Sequence, residues 1–150
     1  MKQNVAIEIN GQPVKHCVGI PKGLSKGVFP TADKITVSVP EVDILLQKVD
    51  ISGRGFWEIN FIVHKEVEIC FKHPDGKLFI VYNLGADVLL KFGSMEAAFF
   101  KSNEHNALTL PTFEMVALPK ASNRKYKLIL LDIVGDITNG KIDSLLNALK

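Results

Sequence analysis

Apolar residues along this chain recur mostly at every second position, which is the spacing of strands with one buried face. Val5, Ile7 and Ile9 alternate with Ala6 and Glu8 until NGQP interrupts them, so residues 4–18 predict a hairpin. Ile35, Val37 and Val39 share one side of ITVSV, with Thr36 and Ser38 on the other, and Pro40 ends the run. The clearest alternation lies in the middle. Trp57, Ile59, Phe61 and Val63 predict one strand, Val67, Ile69 and Phe71 a second, and KLFIVYN (77–83) a third after the turn HPDGK. Short links between the three predict an antiparallel meander over 56–83. Thr112–Leu118 and Tyr126–Val134 add strands, and the near-continuous apolar run of the latter predicts a central strand covered on both faces.

Three stretches carry helical spacing instead. Pro40–Asp50 begins with proline and an acid, and Val42, Leu45, Leu46 and Val49 fall at helical intervals. Gly93–Glu104 offers Ser94 as an N-cap before good helix formers, among them the pair Phe99–Phe100. Lys141–Lys150 places Ile142, Leu145, Leu146 and Leu149 on one face. The expectation is therefore an α+β fold. It is one domain over 1–150, with a mostly antiparallel sheet of about seven strands and two or three helices packed on it.

Composition narrows the classes. The chain has 150 residues, 47% hydrophobic and 23% charged, as an ordinary globular domain does. No apolar run approaches the ~20 residues of a membrane-spanning helix, so no membrane partner is expected. The first residues lack the apolar core of an export signal, and only two cysteines are present, so reduced thiols in the cytoplasm are expected. The net charge of +2 is spread evenly, and just two arginines occur, Arg54 and Arg124, which argues against readout of duplex DNA.

Candidate chemistry is sparse. GIPKGLSKG (19–27) has the glycines of a phosphate loop and Lys22 and Lys26, but lacks the GxxxxGK[ST] order and a following helix. A second basic loop, 120–127, brings Lys120, Arg124, Lys125 and Lys127 around Tyr126. Cations and an aromatic ring suit a single-stranded backbone and one stacked base. If both loops fall on one face, a nucleic-acid or phosphorylated ligand gains weight. His64 and Cys70 can approach across a hairpin and suggest a small-molecule or enzymatic pocket, with Glu68 beside them. No zinc-binding spacing accompanies the four histidines. Cys17, beside Lys15 and His16, is the more reactive thiol in prospect. Glu58, Glu66 and Glu68 read as solvated charges on a sheet face. Residues 135–146 fail the calcium-loop pattern, with Gly135, Ile137 and Leu146 where ligands belong.

No catalytic constellation, metal or cofactor is expected from these residues. The leading expectation is a non-enzymatic binding or regulatory domain acting through protein–protein contact, with another protein or a second copy as partner. The alternatives are ligand binding by Lys22, Lys26, Arg124, Lys125, Tyr126 and Lys127, or a pocket near His64 and Cys70.

Overall fold

The period-two pattern extends further than the sequence reading allowed. A computed structural model describes residues 5–51, 54–73, 78–109, 113–120 and 124–133. Those residues form twelve strands and one 3-10 turn, Lys22–Gly27. The strands are β1 (Ala6–Ile9), β2 (Gln12–Pro13), β3 (Asp33–Ser38), β4 (Val42–Ile51), β5 (Arg54–Val63) and β6 (Ile69–His73). There follow β7 (Leu78–Asn83), β8 (Val88–Phe92), β9 (Ala98–Phe100), β10 (His105–Thr109), β11 (Phe113–Leu118) and β12 (Lys125–Ile133).

They pair into two six-stranded sheets. The front sheet has the order β2-β1-β6-β11-β8-β9 and the back sheet β10-β7-β12-β5-β4-β3, with each neighbouring pair antiparallel. The second half of the chain is a nest of pairs: β8 with β9, β7 with β10, β6 with β11, and β5 with β12. Folding one long antiparallel ribbon over itself in this way makes a jelly roll, which limits exposed sheet edges.

One core lies between the sheets. Ile7, Ile69, Phe71, Leu90, Phe92 and Met115 face inward from the front sheet, and Val37, Ile44, Leu46, Ile59, Phe61 and Leu128 from the back. The Phe61 and Tyr126 rings stack at 4.9 Å near one end of the core. A second cluster, Phe56, Ile80, Tyr82, Ile129 and Leu131, is buried on the outer side of the back sheet. β12 is thus apolar on both faces, as its sequence predicted.

The α+β expectation is corrected: no α-helix occurs among the described residues. Pro40–Asp50 is strand β4, not a helix. Val42, Ile44 and Leu46 face the core, while Leu45 and Gln47 are also buried on the opposite face. A strand covered on both sides loses its alternation and mimics helical spacing. Gly93–Glu104 contains β9, because pairing of Ala98–Phe100 with Val88–Leu90 outweighs local helix propensity. The meander over 56–83 is corrected too. β5, β6 and β7 are successive strands, but they alternate between back, front and back sheets and do not pair with one another. The C-terminal stretch Lys141–Lys150 lies outside the described residues.

Two turns show how local chemistry sets this topology. Asn10 and Gly11 both have positive φ, 50° and 79°, the requirement of the two-residue turn that joins β1 to β2. Asn83 is fully buried, and its amide is satisfied by the carbonyls of Ala86 and Phe100, each at 3.0 Å. Its side-chain oxygen accepts from the Gly85 N–H at 2.9 Å. This places Gly85 directly over β12: a methyl group there would collide with the Lys127 nitrogen and lie 2.9 Å from Tyr126 Cα. Gly85→Ala is therefore expected to destabilise the fold by about 1–3 kcal/mol. Thermal denaturation checks this, and an unchanged midpoint would contradict the close approach.

Candidate ligand site at one end of the barrel

Inward positions of the back sheet are aliphatic or aromatic through most of the barrel and change character at one end. One step beyond Leu46 and Ile59, the next inward pair in the register is Lys48 and Trp57. On the facing front sheet, the inward series Ile69, Phe71 ends at His73, which is paired with Phe113. The half-buried Trp57 ring joins these elements. The Lys48 Nζ lies over it, 5.8 Å from its centroid, and the His73 ring lies 6.4 Å away, tilted by 58°. An ammonium, an indole and an imidazole from three strands and both sheets therefore converge where the apolar core ends. Indole offers a flat face to an apolar ring, ammonium pairs with an acid group, and imidazole can donate or accept a proton.

The residues singled out in the sequence lie elsewhere. His64 and Cys70 do not share a pocket. His64 bonds Asp43 at 2.9 Å, on the outer side of the back sheet. Cys70 alternates with the core residues Ile69 and Phe71, so it faces outward from the front sheet. The two therefore stand on opposite outer surfaces. Asp43 also accepts from Ser38 Oγ at 2.7 Å, but the carboxylate separates serine from histidine, so histidine cannot activate the hydroxyl.

The two basic loops do converge. Lys22 and Lys26 sit on the 3-10 turn, which packs on the outer side of β5: a Cβ at Gly23 would lie 2.6 Å from Ile62 Cδ1. Lys125 pairs with Ile62 in the register, and Lys127 with Asn60. Lys22, Lys26, Arg124 and Lys125 are exposed, and Lys127 is half-buried. Tyr126 is separated from them. It is 2% exposed, stacked on Phe61, and its hydroxyl donates to the Lys120 carbonyl at 3.0 Å, so its ring has no face to offer a base.

One charged group was misplaced by the sequence reading. Glu58 is only 3% exposed, not a solvated face charge; Glu66 and Glu68 are exposed. Its Oε1 accepts from Asn60 Nδ2 at 2.7 Å, with Lys127 Nζ at 3.8 Å. The neighbouring Gln47 is fully buried and holds the covering segment, donating to the Gly27 carbonyl and accepting from the Phe29 N–H, both at 2.7 Å. No local signal revealed this, because Glu58 is covered through the pairing of β5 with β12, which the sequence pattern does not show.

No protein-family model and no curated protein matches the chain. Among solved structures it is similar to a cupin-2 domain from Rhodospirillum rubrum, at 10% identity and a TM-score of 0.47, covering 80% of this chain and 84% of that one. A cupin 2 conserved barrel protein from Rhodopseudomonas palustris gives 10% identity and 0.46, covering 81% and 88%. HppE with iron(II) gives 12% identity and 0.47, covering 71% of this chain and 59% of that one. At these values the likeness is one of barrel shape.

Among the described residues no group of three His, Cys, Asp or Glu side chains could hold a metal, and the barrel interior is hydrocarbon. These residues do not fit an iron centre.

The expectation of a regulatory domain acting through protein–protein contact is corrected here. The pair Phe99–Phe100, expected on a helix, lies on β9 with Phe100 buried in the core and Phe99 exposed. Two of the solved chains of similar shape are cupin 2 domains and another is HppE with an alternative substrate, a likeness of barrel shape alone.

The two free thiols differ in setting. Burial pushes the Cys70 thiol pKa up. Lys72 opposes this, and Glu114, Glu8 and Glu68 add to it. Lys72 itself donates to Glu8 at 3.1 Å, and that bond raises its pKa above the ordinary lysine value. Alkylation proceeds through the thiolate, so a raised pKa lowers the reactive fraction at neutral pH. Cys17 is half-buried, with its thiol 3.3 Å from Thr36 Oγ1. Iodoacetamide is expected to modify Cys17 about tenfold faster than Cys70 at neutral pH, with the Cys70 rate still climbing above the ordinary thiol range of about 8.5. Peptide mass spectrometry over time checks this, and equal rates would contradict it.

Proposed function

We propose that this chain binds a small molecule at the end of its barrel, with Trp57, Lys48 and His73 as the contact residues. The observation that carries the reading is the Trp57 ring, set between a lysine of its own sheet and a histidine of the facing one. Ligand sites are commonly apolar concavities with a few converging polar groups, and barrel mouths are a frequent place for them. The chemistry of the three groups selects a compact ligand with a flat apolar body and an acid group. Trp57 would stack on the body, Lys48 would pair with the acid, and His73 would orient a polar substituent or exchange a proton with it. Cytoplasmic residence is part of this reading, supported by two unpaired thiols far from one another.

Trp57 is the sole tryptophan, so intrinsic fluorescence reports on the site directly. Titration with a panel of aromatic carboxylates is expected to give a saturable change in emission for at least one member. Lys48→Ala should weaken that binding by about tenfold or more, the scale of a lost charged contact. Emission unmoved by every acid of the panel, or unaffected affinity in Lys48→Ala, would sink the proposal.

A further inference from the structure

The segment between β2 and β3 has a composition unlike the rest of the chain. Residues 9–32 contain no Asp or Glu but carry Lys15, His16, Lys22 and Lys26. The segment is pinned to the outer side of the back sheet at separate points. The Cys17 N–H donates to the Thr36 carbonyl and the Thr36 hydroxyl to the Cys17 carbonyl, both at 2.8 Å. Leu24 is buried, Gly23 lies against Ile62, and Gln47 holds Gly27 and Phe29.

Pinning sends the remaining side chains outward, and three of them are large and apolar. Val18 is 104% exposed, Ile20 38% and Phe29 39%. Among the described residues only five large hydrophobics are exposed, so one short segment holds most of them. Exposed apolar side chains gathered in one place mark a contact surface. Here they are interleaved with Lys22 and Lys26, and Lys125 lies beside the segment across Ile62.

We propose that this segment docks the back sheet onto an anionic lipid surface. Val18, Ile20 and Phe29 enter the boundary between headgroups and acyl chains, and the lysines pair with lipid phosphates and carboxylates. Peripheral lipid binding combines buried apolar area with attraction of basic residues to anionic lipid, which is the pairing found here. Charge complementarity alone would also suit nucleic acid. The apolar members favour lipid: Val18 and Ile20 have no ring to stack on a base, Tyr126 of the second basic loop is in the core, and Phe29 alone of the three would have to serve as a stacking platform. Spanning and surface binding are separate properties. Among the described residues no helix is long and apolar enough to cross a membrane, which leaves surface attachment open.

The test is co-sedimentation of the full chain with phosphatidylcholine vesicles, with and without phosphatidylserine, at low and high salt. Binding is expected only with phosphatidylserine and should weaken as salt rises. Val18→Asp with Ile20→Asp should reduce the bound fraction about tenfold, as should Lys22→Glu with Lys26→Glu. All four side chains point to solvent, and melting curves matching the parent establish that the variants fold. No binding to phosphatidylserine vesicles would overturn the proposal. So would binding that survives both pairs of substitutions. A salt-sensitive complex with a single-stranded oligonucleotide, unaffected by Val18→Asp and unaccompanied by vesicle binding, would assign the surface to nucleic acid instead.

Discussion

Burial of the back sheet on both of its faces is the constraint that organises the rest of the molecule. The front sheet meets the core on one side and presents Glu8, Lys72, Glu114 and Lys91 on the other. The back sheet is covered on its outer side along the middle of β4, β5 and β12, with Lys125 and the His64–Asp43 pair at the margin. Ile44, Ile59 and Leu128 face the core, while Leu45, Phe56 and Ile129 are equally buried behind them. Burying Leu45, Phe56, Ile129 and Leu131 on the second face adds to the apolar area these strands remove from water, at roughly 25 cal/mol per Å². It also obliges the chain before β3 to lie across the sheet, which is why Leu24 is buried and its neighbours are displayed.

Covering a sheet face also traps polar groups, and their partners show how the covering is held. Gln47 is fully buried and satisfies two backbone groups of the covering segment, one with its amide and one with its oxygen. Glu58 keeps its carboxylate under the same cover through Asn60 and Lys127. A buried polar group left without a partner costs about 1–3 kcal/mol, so the two Gln47 bonds favour one placement of the segment over others. The basic turn is therefore fixed in position, although its composition reads as a flexible connection.

What was legible in the sequence follows from the same asymmetry. β5, β6 and β11 each keep a recognisable alternation, and the unbroken apolar run of β12 announced a strand with two buried faces. β4 has the same property, but its Leu45–Leu46 pair and flanking proline imitated a helix start. Pairing was the least legible feature. β5 finds β12 and not β6, and no local signal distinguishes a nested ribbon from a meander when each strand reads alike. The candidate site was hidden for a related reason. Trp57 stood out as a large residue opening a strand, but Lys48 and His73 join it from a neighbouring strand and from the opposite sheet. Residues that converge through topology leave no spacing to read.

The barrel interior then limits which chemistry the fold can perform. An enclosed metal centre needs several polar ligands aimed inward, and every such ligand must replace part of a packed core. Here those inward positions are filled by Ile44, Ile59, Phe71, Leu90, Met115 and Leu128, all essentially inaccessible to solvent. Among the described residues these side chains make the centre of the space between the sheets apolar. The two proposed surfaces lie at its margins, one at the end of the barrel, where the inward series turns to Lys48, Trp57 and His73, and one on the outer cover, where Val18, Ile20 and Phe29 face the solvent. The first margin belongs to the space between the sheets and suits a compact molecule. The second lies on the outer side of the back sheet and suits a broad partner, so the two proposed surfaces share no residue.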